Sequence, residues 1–165
     1  MRMQKETNTA SADRAGRVLA IDYGRRRLGL AVSDEGRMVA RPLDTLERVN
    51  RRADVARLRR IVREQCVAQL VVGLPLRLDG TVGEMAEEAR EFAGRIGNAL
   101  GLPVALVDER LTSWEASEGK PTHKNDVRRT QRPSYSKAHR APDGVDSLAA
   151  ALILEEYLRG EVGPR

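Results

Sequence analysis

Asp22, Glu109 and Asp146 lie in three distant parts of the chain, each in a setting that would hold a carboxylate still. Asp22 ends the apolar run Val18-Leu19-Ala20-Ile21 and is followed by Tyr23-Gly24. Such a run reads as a buried strand that stops at a breaker. An ionised Asp at the tip of a buried strand needs a partner. Glu109 follows the run Val104–Asp108, again at a strand end. Asp146 opens a stretch rich in alanine, near the start of a helix, where a carboxylate is favoured by the helix dipole. Each acid also has an ordinary explanation: Asp and Gly are common in turns, and acids are common in first helical turns. If the three meet, their oxygens suit a hard divalent cation, Mg²⁺ or Mn²⁺. One such ion, or two about 4 Å apart, can activate water and steady the leaving oxygen of a phosphodiester.

Whether they meet depends on the elements between them. Strands are expected at 17–22, 28–33 and 37–41, joined by short turns into an antiparallel meander. A helix follows over 51–66, with Val55, Leu58, Ile61 and Val62 at helical spacing. Arg51, Arg52, Arg57, Arg59, Arg60 and Arg63 crowd its other positions, as a solvated face or as a nucleic-acid contact surface. The segment 69–73, uncharged and built on Leu70-Val71-Val72, predicts a strand buried on both faces. Thr81 and Glu84 have capping-box spacing and predict a helix running to about Leu100, stopped by Gly101. A fifth strand spans 104–108, and Thr112 with Glu115 forms a second capping box that would start a short helix at Ser113. Residues 117–142 lose apolar periodicity and read as a basic mobile loop. Asp143 is placed to cap a last helix over 145–159. The order β-β-β-α-β-α-β, then loop and helix, predicts an α/β fold: a mixed five-stranded sheet flanked by helices. In that sheet the first, fourth and fifth strands run parallel. Their C-terminal ends share one edge, where ligand sites collect.

Composition narrows the chemistry. The 165 residues suit one domain, assigned to 17–160 after a disordered tail at 1–16. Only 3% of residues are aromatic, so the core must be aliphatic. The net charge of +5 favours a polyanionic partner such as nucleic acid. Cys66 is the single cysteine, is expected buried as a small apolar residue, and fits a reducing cytoplasm. No run approaches the ~18 apolar residues of a membrane span, and no signal-peptide core is visible. There is no P-loop, no GxGxxG and no cysteine pair for zinc. His123 and His139 both fall in the 117–142 segment, and Ser33, Ser113 and Ser147 have no clear histidine partner.

The motifs themselves are familiar. Ile21-Asp22-Tyr23-Gly24 with Leu28-Gly29-Leu30-Ala31-Val32-Ser33-Asp34 is followed by Val72-Gly73-Leu74-Pro75 with Asp79-Gly80. Then come Asp108-Glu109-Arg110-Leu111-Thr112-Ser113 and Val145-Asp146-Ser147-Leu148-Ala149-Ala150. In this order and spacing the chain resembles the YqgF or RuvX family, described as Holliday-junction-resolvase-like proteins and nucleases of pre-16S rRNA. The resemblance implies an RNase H-like fold with its acidic residues at Asp22, Glu109 and Asp146. It also implies supporting roles for Arg110 and Thr112, and a loop Gly73-Leu74-Pro75 beside the site. The 117–142 segment matches least.

The leading functional expectation is therefore a Mg²⁺- or Mn²⁺-dependent endonuclease that trims the 5′ end of pre-16S rRNA in the cytoplasm, as part of ribosome biogenesis. Arg25, Arg26, Arg27 and Arg110 would engage the nucleic-acid backbone, and Gly24 would leave room for a phosphate. The same site in a Holliday junction resolvase would cut branched DNA and require a homodimer. A non-catalytic ribosome-assembly or nucleic-acid-binding factor is the third reading. A monomer or a homodimer, with no membrane partner, fits these expectations.

Overall fold

The computed structural model describes residues 16–109 and 144–160. Nine elements follow in order: β1 (Arg17–Tyr23), β2 (Arg27–Ser33), β3 (Ala40–Pro42), β4 (Leu46–Glu47), α1 (Arg51–Glu64), β5 (Val67–Leu74), α2 (Glu84–Leu100), β6 (Val104–Asp108) and α3 (Gly144–Leu158). The strands form one mixed sheet in the order β3-β2-β1-β5-β6, with β4 also paired to β2. β1, β5 and β6 are parallel, and β2 runs antiparallel to β1. The expected five strands and their directions are present. The two-residue β4 is a sixth strand, too short to carry a periodic signal.

The sheet separates two cores because side chains alternate along each strand. Leu19, Ile21 and Tyr23 of β1 join Leu28, Leu30 and Val32 of β2 and Leu70 and Val72 of β5 on the α1/α2 face. Val18, Ala20, Ala31, Val71 and Val107 face α3, which contributes Ala150, Ala151, Ile153 and Leu154. Alanines on both sides of this second interface let α3 lie close over β1 and β2. That close approach matters for the site.

α1 is capped by Asn50, whose Oδ1 accepts from the Ala53 N–H at 2.9 Å. α2 buries Ala86, Ala89, Phe92, Ala93, Ile96 and Gly97, and ends at Gly101 with φ 66°. Three local expectations are corrected. Thr81 does not cap α2: Gly83 holds that position, while the Thr81 N–H and hydroxyl both donate to Asp79 Oδ1 (2.9 and 2.7 Å). An Asx turn here competes with the capping box and wins. The third strand starts at Ala40, not residue 37, because Asp34 Oδ1 accepts the Met38 and Val39 N–H groups (2.7 and 3.0 Å). Cys66 is exposed and sits at φ 53° in the α1–β5 turn, which carries it away from the core. The 117–142 segment, the Thr112/Glu115 capping box, Asp143, both histidines, and residues 1–15 of the tail lie outside the described residues. Among the described residues no helix is long and apolar enough to cross a membrane.

Candidate active site

Asp22 is the sixth residue of β1 and alternates onto the α3 face behind Val18 and Ala20. A glycine flanks it on each neighbouring strand. On β2 its direct partner is Gly29. On β5, one residue past the Ile21–Val72 pair, lies Gly73. Both glycines are needed for space. A Cβ on Gly29 would overlap the backbone carbonyl of Asp146 and lie 3.2 Å from its Cα. A Cβ on Gly73 would overlap Glu109 Oε1 and come within 2.6 Å of Ile153 Cδ1. Glycine inside a strand marks close approach by another chain segment. Here the two glycines admit the first turn of α3 on one side of Asp22 and the Glu109 carboxyl on the other.

Glu109 is tied in place by its backbone. Its N–H donates to the Leu74 carbonyl at 3.2 Å, and that same oxygen accepts the Leu76 N–H at 2.9 Å. Pro75 follows β5 in a segment fastened to Glu109, whereas Gly73 and Leu74, expected in a loop, are the last two residues of β5 and pair with Val107 and Asp108 of β6. The Glu109 and Asp22 side chains hydrogen-bond to each other. Burial, then the Asp22 charge, then this bond push the Glu109 carboxyl up to about 7, with the Asp108 charge adding to it. Asp22 is also raised, by burial first and by the charge of Asp146 second, while the bond from Glu109 opposes the rise. With both carboxyls raised, the pair favours holding a proton over bearing two negative charges.

Asp146 completes the acidic edge from above. Its backbone rests on Gly29, and its carboxylate is close enough to Asp22 to raise it. Its Oδ2 pairs with Arg27 Nε at 3.3 Å. Among the described residues no group of three metal-ligating side chains is compact enough to hold an ion as it stands. The donor set nonetheless fits a hard cation. Two carboxyls share one proton at the place where a cation would supply positive charge, and the third is balanced by a guanidinium. Asp22, Glu109 and Asp146 come together at one edge, but as a proton-bridged pair plus an ion-paired neighbour.

The arginines divide. Arg25 is turned toward α2, where its Nη2 pairs with Glu88 Oε1 at 2.6 Å and Glu84 Oε1 at 3.1 Å. Tyr23 donates its hydroxyl to the same Glu88 at 3.2 Å. Arg26 is exposed, and Arg27 sits on the Asp146 side. The space beside Gly24 is filled by the Arg27 carbonyl, 2.5 Å from where a Cβ would stand, so this glycine closes the β1–β2 turn and does not clear room for a phosphate. Arg110 and Thr112 lie outside the described residues. Sequence reasoning missed the seat that Gly29 makes for α3 and the grip of Arg27 on Asp146. The signal for the first was present: a glycine between Leu28 and Leu30 interrupts an otherwise buried strand.

A structure of RuvC from T. thermophilus in complex with a Holliday junction substrate superimposes with a TM-score of 0.51 at 17% identity, covering 90% of this chain and 96% of that one. The likeness is one of fold, and the fold is RNase H-like. Two relatives carry the name "Putative pre-16S rRNA nuclease". The protein from Koribacter versatilis is 43% identical over 143 residues, 87% of this chain and 86% of its own. That from Thermosynechococcus vestitus is 43% identical over 141 residues, 86% of each chain. The family model for RuvX, described as a Holliday junction resolvase, matches residues 16–160. With that span matched and relatives this similar over most of their length, the chain belongs to the RuvX family.

Proposed function

We propose that the chain is a divalent-cation-dependent endonuclease that trims the 5′ end of pre-16S rRNA in the cytoplasm, with its single nuclease domain spanning 17–160. The observation that carries the chemistry is the Asp22–Glu109 carboxyl pair, seated between Gly29 and Gly73 with Asp146 above. The substrate follows from the names of the relatives. Asp22, Glu109 and Asp146 would hold Mg²⁺ or Mn²⁺, which when bound supplies Lewis acidity at the scissile phosphate. The chain itself supplies the rest. Strand ends and a helix start fix the carboxylates within a narrow range of positions. Arg26 and Arg27 offer guanidinium donors to phosphate oxygens beside the acidic edge. As a cation ligand Glu109 would be ionised, so loading would be coupled to proton release.

Asp22→Asn is expected to abolish Mg²⁺-dependent cleavage of a precursor rRNA while leaving the thermal unfolding transition in place. Full activity in that variant would remove the assignment. The family's description supports a second reading, cleavage of branched DNA. Symmetric cuts on two strands require two sites, hence a homodimer. Incubating wild type and Asp146→Asn with precursor rRNA and with a four-way DNA junction separates the two. Preferred cleavage of the junction by a dimeric protein would favour the resolvase, and cleavage of rRNA by a monomer the processing enzyme. Mn²⁺ binding without cleavage of either would favour an assembly factor.

A further inference from the structure

Arg27 and Gly29 are two residues apart on β2 and face α3 together. Gly29 seats the backbone of Asp146, and Arg27 grips its side chain. The position of the Asp146 carboxylate is thereby limited to a few rotamers above Asp22. Charge chooses among them: the Asp22 carboxylate repels it and the Arg27 guanidinium attracts it. The Arg27 side chain is 46% exposed, so an incoming anion can reach it. Guanidinium binds phosphate in the same two-pronged geometry that it uses for a carboxylate.

We propose that Arg27 is an exchangeable counter-ion that couples nucleic-acid binding to completion of the cation site. Without nucleic acid, Arg27 holds Asp146 away from the Asp22–Glu109 pair. A backbone phosphate beside the site takes over the guanidinium, and Asp146 is released toward the cation. The charges pair at each stage: Asp146 with Arg27 before, and phosphate with Arg27 and Asp146 with the divalent ion after. This inference rests on the reading of the three acids as cation ligands. It makes Arg27 a positioning residue, acting through Asp146.

The test is a Mn²⁺ titration of the full chain, read from the paramagnetic signal of free Mn²⁺, with and without a short RNA duplex bearing phosphorothioate linkages. Without RNA, Arg27→Gln should bind Mn²⁺ about three- to tenfold tighter than wild type, the scale expected for loss of a half-exposed ion pair and a nearby positive charge. Arg27→Lys should stay near wild type. Arg52→Gln makes the same charge change on exposed α1, across the sheet, and should also stay near wild type. Saturating RNA should tighten Mn²⁺ binding in wild type and much less in Arg27→Gln. Mn²⁺ should strengthen RNA binding to wild type by that same factor, since coupling is reciprocal. Equal Mn²⁺ affinity in Arg27→Gln and Arg52→Gln, or equal tightening by RNA in wild type and Arg27→Gln, would overturn the coupling and leave the cation site standing. No Mn²⁺ binding by any of these proteins, with or without RNA, would overturn the cation-site reading and the coupling together.

Discussion

Glu109 keeps a proton that an ordinary glutamic acid has lost by neutral pH. Its carboxyl titrates at about 7 in the fold against 4.5 when free of it. Between those values the folded chain holds a proton that the unfolded chain has released. Stability therefore falls as pH rises through that window, and the whole penalty is present above about pH 7. Glu109→Gln removes the titration and keeps the size. In the absence of divalent cations the variant should exceed wild type in stability by on the order of 2 kcal/mol at pH 8, with the charge-related difference gone at pH 4. Urea unfolding at the two pH values checks this, and a difference that does not change with pH would show that ionised Glu109 is not penalised. The acids themselves were legible in the sequence, since Asp22, Glu109 and Asp146 each sit where a rigid element stops or starts. What was not legible is who balances them. Arg25, Arg26 and Arg27 are alike in sequence, yet the turn aims Arg25 at Glu88 and Glu84 and leaves Arg27 beside Asp146. Such pairings depend on which face of the sheet each residue reaches, and a one-residue shift reverses that.

Among the elements, α3 and β2 set the tightest tolerance, because Gly29 has no spare space below Asp146. Gly29→Ala must push the first turn of α3 outward or shift β2. Overpacking of this kind costs roughly 1–3 kcal/mol, and a 1 Å misplacement of a catalytic group can cost about 10²-fold in rate. The expected phenotype is a folded protein with cleavage reduced at least tenfold, chiefly in kcat, because the arginines proposed to bind the backbone are unchanged. Gly36→Ala, in an exposed turn where a Cβ would meet Asp34 Oδ2 at 3.4 Å, should retain activity. Steady-state kinetics on both variants decides the matter, and near-normal turnover in Gly29→Ala would mean that the α3 start is not held where β2 places it. The long elements were readable for the same reason that they are stable: α1, α2, β1 and β5 bury periodic apolar faces. The errors fell on short pieces. β3 begins late because the Asp34 carboxylate takes two backbone donors, and α2 lacks its capping box because Asp79 captures Thr81. In both cases a side-chain oxygen satisfied backbone groups locally, a competition that periodicity does not register.

At the scale of the whole molecule, the sheet separates two basic surfaces that the sequence could not rank. α1 lies on the face opposite the acids, and most of its arginines are occupied within the protein. Arg57 donates to the Glu47 carbonyl at 2.9 Å, Arg59 to the Ala99 carbonyl at 2.8 Å, and Arg60 pairs with Glu64. These contacts knit the α1 surface to its neighbours and leave fewer guanidinium donors for phosphate. The Arg26–Arg27 turn adjoins the acidic edge, where the proposed reaction would place the cleaved strand. The net charge of +5 makes affinity for nucleic acid fall with salt whichever surface binds, so affinity at one ionic strength does not distinguish them. The slope does. Each phosphate contact removed lowers the magnitude of the log–log salt slope by about 1. Arg26→Gln and Arg27→Gln should each show that reduction with an RNA duplex, while Arg52→Gln and Arg60→Gln should leave the slope within error of wild type. Fluorescence anisotropy across a salt series measures all four. A slope that drops as much for the α1 variants as for the turn variants would mean that RNA wraps both faces of the sheet, and that the acidic edge is only one station along its path.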